Sequence, residues 1–310
     1  MSEPYFSVVV PVFNEEENLE ELHAGLVAVM QRLGAYELIY IDDGSTDGSR
    51  GFLEALCRQD ANAKLISFSR NFGHQPAVSA GLMHARGDAV AIIDSDLQDP
   101  PGILPSLFSK WKAGYEVVFA VRKKRKESIL KRFLYFSYYR ILHALSEIII
   151  PVDSGDFCVM DRKVVDQINS LPERERFVRG LRAWVGFRQI GVEYERQARF
   201  SGTPKYTMSK LFALAISGIF SFSSRPLLYV TRAGVGVTLV GFGFLSTVMF
   251  RKLVFDVHPE GWTSLMAVVL FLGGIQLFVM GVIGEYIGKI FTEAKGRPTY
   301  IISSTQNLES

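Results

Sequence analysis

Two stretches near the C-terminus restrict this chain more than any other feature. Ala233 to Phe250 reads AGVGVTLVGFGFLSTVMF, eighteen residues without a charge. Trp262 to Gly284 reads WTSLMAVVLFLGGIQLFVMGVIG, twenty-three more. At about 1.5 Å per helical residue, each can cross a hydrocarbon layer of roughly 30 Å. Such surfaces must be covered by a protein core or by lipid, and the length, the glycines and the polar flanks favour lipid. The loop RKLVFDVHPEG, Arg251 to Gly261, joins the two. Basic residues outside the pair are Arg225, Arg232, Lys289, Lys295 and Arg297, against Arg251 and Lys252 within it. With the block RKKRK at Arg122 to Lys126 added, this bias predicts that both termini face the cytoplasm. The expectation is a cytoplasmic domain held by a transmembrane helical hairpin.

Ahead of the hairpin, strand and helix patterns alternate. YFSVVVPV (Tyr5 to Val12) is an almost continuous apolar run, as a strand covered on both faces requires. A helical period follows from about Glu16 to Leu33. Then come YELIYIDD (Tyr36 to Asp43), a helix near Ser49 to Gln59, KLISFS (Lys64 to Ser69), a helix near Pro76 to Ala85, and DAVAIID (Asp88 to Asp94). This rhythm predicts an α/β domain with a mostly parallel sheet and helices on both faces. Leu130 to Ile148 and Met208 to Phe222 carry apolar stripes at helical spacing, suited either to packing on the sheet or to lying in the lipid interface. The resulting division is a domain over 1–206, an amphipathic interface helix over 207–226, a hairpin over 227–288 with spans near 233–250 and 262–284, and a tail over 289–310.

Polar residues cluster immediately after each strand: Asn14 and Glu15, Asp42 and Asp43, Arg70 and Asn71, Asp94 and Asp96. Open α/β sheets bind ligands beyond the carboxyl ends of their strands, so these loops are expected to share one crevice. In Asp94-Ser95-Asp96 two carboxylates stand one residue apart and repel each other. A cation is one remedy, and all-oxygen donors favour Mg²⁺ or Mn²⁺, which keep waters and bridge phosphates. An ordinary polar loop is the other reading. No His/Cys spacing suggests zinc. Asp99, before Pro100 and Pro101, reads as a helix N-cap. A net charge of +2 gives no case for nucleic acid, Cys57 and Cys158 are too few for a disulfide framework, and MSEPYF does not read as a signal peptide.

Taken together, VVVPVFNEEENL, IDDGSTDGS, SRNFGHQPAVSAGL and IIDSDLQDPP resemble the family 2 glycosyltransferases of GT-A fold. With PVDSGDFCVMDR, PERERFVRGLRAWVGFRQ, YERQARFSGTPKY, the terminal RPTYI and the two spans, the chain is similar to polyprenyl-phosphate glycosyltransferases related to dolichol-phosphate mannose synthase. It is most similar to those of the bactoprenol (undecaprenyl-phosphate) glucosyltransferase type. The resemblance implies inverting transfer of a hexose, foremost glucose, from a UDP-sugar to undecaprenyl phosphate at the cytoplasmic face of a bacterial inner membrane, with Mg²⁺ or Mn²⁺.

It also implies roles. Pro11, Phe13, Asn14, Glu15, Asp42, Asp43, Arg70, Asn71, Gly73, Ser95 and Gln98 match the nucleotide-sugar site. Asp94 and Asp96 match the metal-holding DXD pair, with Asp96 counted among the catalytic residues. Arg199, Lys205 and Tyr206 match positions that hold the acceptor phosphate or the diphosphate; Arg122, which follows the strand pattern at Glu116 to Val121, is counted with them and also among the catalytic residues. Asp156 (rather than Asp153) is the remaining catalytic candidate, as base, acceptor-orienting group or sugar ligand. Lys123 to Lys126 read as a solvated or lipid-attracting surface. N-acetylglucosamine or a modified pentose would suit the same chemistry. A processive polysaccharide synthase is a rival, although Arg182-Ala183-Trp184 lacks the glutamine of the QxxRW motif. A non-catalytic membrane scaffold is another. Gly234, Gly236, Gly241 and Gly243 permit close helix packing, as in a homo-oligomer.

Overall fold

The computed structural model describes residues 5–122, 154–174, 176–195, 225–255 and 261–308. The amphipathic segments expected near 130–148 and 208–222 lie outside these residues. The described chain divides into two compact units, one holding the strands and one holding two long C-terminal helices.

The first unit opens with β1 (Phe6–Val12), α1 (Glu16–Met30), β2 (Tyr36–Asp42), α2 (Ser49–Gln59), β3 (Ala63–Phe68), α3 (His74–His84) and β4 (Ala89–Ile92). Each lies within two residues of the segment expected from the sequence, except that α1 ends at Met30, three residues before the expected Leu33. β1 and β2 are buried along their whole length, which is why neither shows the polar alternation of a half-exposed strand. The chain continues through a 3₁₀ turn at Pro101–Ile103, α4 (Leu104–Lys112), β5 (Val117–Arg122), β6 (Ser154–Asp161), α5 (Arg162–Ser170), α6 (Val178–Trp184) and β7 (Gln189–Tyr194).

The eight strands described form one mixed sheet in the order β7-β5-β6-β4-β1-β2-β3-β8, where β8 is Ile302–Gln306. From β1 the chain steps outward to β2 and β3, then returns through α3 to place β4 on the other side of β1. The order therefore reverses between β1 and β4, and a crevice opens beyond their carboxyl ends at such a switch point. Helix α3, which makes the return, lies hard against the sheet. A Cβ on Gly81 would stand 2.2 Å from Val9 Cγ1, so only glycine allows this approach.

β8 was not foreseen, because the tail beyond the second apolar helix carries no strong strand pattern. Its residues pair antiparallel with β3, from Leu65↔Gln306 to Phe68↔Ile302. Ser303 Oγ donates to Ser67 O at 3.0 Å, and Asn307 Nδ2 donates to Cys57 O and Ala63 O at 2.6 and 2.8 Å. Arg174 donates to the carbonyl of Arg297, and the Tyr300 ring stacks on Phe68 with centroids 4.9 Å apart. The end of the chain is thus built into the strand-bearing unit.

The second unit contains α7 (Arg225–Phe255) and α8 (Trp262–Ala294). Within them, Arg225–Arg251 and Val268–Ala294 have mean hydropathies of 1.8 and 2.0, and nothing among the described residues buries their most apolar windows. Their 27 residues apiece span about 40 Å, long enough to cross a membrane. The hydroxyls of Thr238, Ser246 and Thr247 donate to the carbonyls four residues earlier at 2.8–2.9 Å. Polar groups satisfied within their own helix can face an apolar solvent at little cost.

Candidate active site

The crevice is built loop by loop at the strand ends. After β1, Asn14 adopts a left-handed conformation (φ 54°), and its backbone N–H donates to Ser45 Oγ at 3.1 Å. Its side-chain oxygen accepts from the Thr46 amide at 2.8 Å. Glu15 donates through its amide to Ser49 Oγ and accepts from Asn18 Nδ2 at 2.6 Å. These contacts clamp the first loop to the turn that follows β2. In that turn, Asp42 Oδ1 accepts from the Ser45 amide and Asp47 Oδ1 from the Ser49 amide, both at 3.0 Å. Much of DDGSTDGS is therefore turn and cap chemistry.

Asp42 and Asp43 differ in what they hold. Asp42 is fully buried, and its Oδ2 has no hydrogen-bond partner among the described residues. Asp43 accepts from the amides of Phe72 and Gly73 at 2.7 and 2.9 Å, so it anchors the loop containing Arg70 and Asn71. Burial raises the Asp43 pKa above the ordinary carboxyl value, and the two amides oppose the rise. Gly44 sits beneath that loop at φ +68°, where a Cβ would stand 2.4 Å from the Arg70 carbonyl carbon. Arg70 lies over the Phe72 ring, 4.0 Å from its centroid.

Asp94 and Asp96 follow β4 on one turn. Ser95 is buried, and Asp96 Oδ1 accepts from the Gln98 amide at 3.1 Å. Asp156 belongs to β6, the antiparallel neighbour of β4, where Ile92 pairs with Cys158. Extending that register by two residues brings Asp94 to the level of Asp156. His74, the first residue of α3, stands between them. Its Nε2–H donates to Asp94 Oδ1 at 3.0 Å, and its Nδ1 lies 3.8 Å from Asp156 Oδ2. Burial works against protonation of this imidazole, but the Asp94 hydrogen bond and the nearby charge of Asp156 outweigh it and raise the His74 pKa. Gln75 Nε2 donates to Asp156 Oδ2 and Arg179 Nε to Asp156 Oδ1, each at 3.3 Å. Gln75 Oε1 accepts from the Val178 amide at 2.8 Å, tying the start of α3 to the start of α6.

The structure therefore gathers Asp94, Asp96 and Asp156 at one end of the sheet, beside the first loop. Pro11 lies within β1, and Gly73 caps α3 at φ 108°. The backbone of Arg122 ends β5 at the same end of the sheet, paired with Tyr194. Arg199, Lys205, Tyr206 and Asp153 lie outside the described residues. Asp99 is corrected: the 3₁₀ turn begins at Pro101 with Pro100 as its N-cap, and the buried Asp99 carboxylate instead accepts from the Tyr194 hydroxyl. Sequence reasoning passed over His74, Gln75 and Arg179, although each stands inside a quoted motif. All three are polar residues at the mouth of a helix that follows a strand or loop of the crevice.

Comparison with known proteins identifies the family. The family described as glycosyl transferase family 2 matches residues 7–168, and the GtrB C-terminal hairpin matches residues 226–290. The glycosyltransferase YkcC of Bacillus subtilis is 46% identical over 307 residues, covering 98% of this chain and 95% of that protein. The bactoprenol glucosyl transferase of Shigella phage SfII is 43% identical over 302 residues, covering 96% and 97%. A prophage bactoprenol glucosyl transferase homolog of Escherichia coli K12 is 42% identical over 299 residues, covering 96% and 97%.

Proposed function

The chain belongs to glycosyl transferase family 2 and is a glycosyltransferase; from that premise we propose that it moves glucose from UDP-glucose to undecaprenyl phosphate, with inversion at C1. The observation that carries this reading is similarity over the whole chain, hairpin included, to bactoprenol glucosyl transferases. A soluble acceptor would not require two helices of this length and apolarity.

The chemistry asks for little proton transfer. A phosphate monoester has a second pKa of about 6, so it is already mostly a dianion at neutral pH and can attack without a base. The harder task is to hold an anionic nucleophile in line with an anionic leaving group. Asp42, Asp43 and the loop they support are read as the nucleoside side of the crevice. Asp94 and Asp96 are read as the diphosphate side. Among the described residues no group of three or more His, Cys, Asp or Glu side chains could hold a metal. Two carboxylates on one turn nevertheless suit a hard cation that takes its other oxygens from water and diphosphate, so the donor set fits Mg²⁺ or Mn²⁺. When bound, such an ion offsets the negative charge that gathers on the departing UDP. On this reading Arg122, Arg199, Lys205 and Tyr206 serve the acceptor phosphate or the diphosphate.

The same proposal covers topology. Ile302–Gln306 pairs with β3, so the segment after the second apolar helix shares a compartment with the segment before the first. Two crossings satisfy this. The basic flanks, five residues outside the pair against Arg251 and Lys252 within it, put that compartment in the cytoplasm of a bacterial inner membrane. The functional boundaries then are 1–206 for catalysis, 207–226 at the interface and 227–288 in the bilayer, with the tail returning to the catalytic unit. The test is a screen of UDP-sugars against undecaprenyl phosphate with Mg²⁺ or Mn²⁺, products identified by mass. A hexosyl polyprenyl phosphate formed from UDP-glucose supports the proposal. Transfer from UDP-N-acetylglucosamine or a pentose donor alone redirects it, and turnover of none at high protein concentration overturns it.

A further inference from the structure

Asp156 is poorly placed to act as a base. Both of its oxygens are already engaged, Oδ1 by Arg179 Nε and Oδ2 by Gln75 Nε2. His74 Nδ1 stands a further 3.8 Å from Oδ2. A phosphate acceptor, moreover, has no proton that must be removed. What three aspartates at a crevice do lack, when a second anion has to enter, is positive charge.

Arg179 supplies it in a usable form. Its Nε is held by Asp156 at 3.3 Å, and its side chain is 30% exposed. Among the described residues its two η-nitrogens make no hydrogen bond; its charge is felt by His74 and Cys158, and its guanidinium carbon lies 5.8 Å from the Phe177 ring centroid. A guanidinium pinned at Nε presents its remaining edge in a fixed plane. That edge is a fork matched to two oxygens of a phosphate. The position also suits the reaction, because Arg179 reaches Asp94 through one carboxylate and one imidazole. An anion bound there lies on the β6 side of the diphosphate-holding turn.

We propose that Arg179 binds the phosphate of the lipid acceptor, and that Asp156 is a positioning residue that orients the Arg179 guanidinium rather than a proton acceptor. This rests on the reading of the acceptor as a polyprenyl phosphate. Gln75 belongs to the same device, since it fixes Asp156 and the first turn of α6 together.

The experiment uses the full-length membrane protein with UDP-glucose and a short-chain polyprenyl phosphate. Arg179→Ala should raise KM for the acceptor by about 10- to 100-fold, the loss expected when one charge-assisted pair is removed. Arg179→Lys should recover part of that loss, because it keeps the charge and loses the fork. UDP affinity, measured by calorimetry, should stay within about twofold in both variants, a split that a merely structural ion pair would not give. Asp156→Asn keeps an acceptor oxygen for Arg179 and should retain most of kcat, whereas loss of a base would collapse it. Unchanged acceptor KM in Arg179→Ala, or a parallel fall in UDP affinity, overturns the assignment of Arg179. Loss of kcat in Asp156→Asn at saturating acceptor overturns the positioning role. Wild-type protein that transfers to no polyprenyl phosphate overturns the parent reading and this one with it.

Discussion

The Nε2 of His74 lies 3.0 Å from Asp94 Oδ1, and through its other nitrogen the same imidazole faces Asp156. One ring therefore links the turn after β4 to the start of β6, where two carboxylates would otherwise confront each other. Groups that orient metal-binding carboxylates typically matter by 10- to 100-fold in affinity or activity. His74→Ala is expected to raise the Mg²⁺ or Mn²⁺ concentration for half-maximal turnover by about that factor. A metal titration of the purified enzyme checks this, and an unmoved midpoint would remove His74 from the site.

Asp96→Ala should lower turnover by about 10²-fold or more while leaving the protein folded and membrane-bound. Asp96 Oδ1 also accepts a turn contact from the Gln98 amide, so folding has to be read separately from chemistry. Turnover at saturating metal, read beside thermal unfolding in detergent, separates chemistry from folding. Undiminished turnover would sink the diphosphate role of this turn.

Gly44→Ala should act through the backbone, without adding or removing a charge. A Cβ there meets the backbone of Arg70 and Asn71 at 2.4 and 2.6 Å, at a φ of +68° that costs a non-glycine residue about 1–2 kcal/mol even in open space. The loop must shift, and with it the amides of Phe72 and Gly73 that Asp43 holds. UDP affinity should fall by about 10-fold or more, a change calorimetry would detect.

Tyr300→Ala tests whether the returning tail supports the nucleotide side. Tyr300 stacks on Phe68, and Phe68 meets Phe72 edge to face with centroids 5.7 Å apart. Such pairs contribute roughly 0.5–1.5 kcal/mol beyond area burial. The variant should melt a few degrees lower and show a several-fold higher KM for the nucleotide sugar. An unchanged KM in a destabilised protein would confine the tail to stability.

The strand ends were legible because a buried parallel strand is a mostly apolar run that gives way to carboxylates, as β2 does at Asp42 and Asp43 and β4 does two residues before Asp94. The switch point followed from the same phase. His74 and Arg179 were not legible, because their partners are 20 and 23 residues away and meet them only through the β4–β6 register and the return of α3. For Gln75 and Asp156 the separation is 81 residues. Asp99 misled for the opposite reason. An aspartate before two prolines is a strong local sign of a cap, yet a hydroxyl 95 residues away holds its carboxylate. The strand ISSTQ hides in plain polarity, since its three half-buried residues alternate with two exposed ones and only Ile302 is apolar.

The pairing of β8 with β3 also sets an order of manufacture. Residues 302–306 leave the ribosome after both long helices, so the growing enzyme carries a bare β3 edge until those helices have been delivered to their destination. Tyr300 and Asn307 also follow both helices, and with them come the contacts that hold the strand to the sheet. A chain halted before residue 302 would hold every strand of the crevice and still lack the one that covers β3.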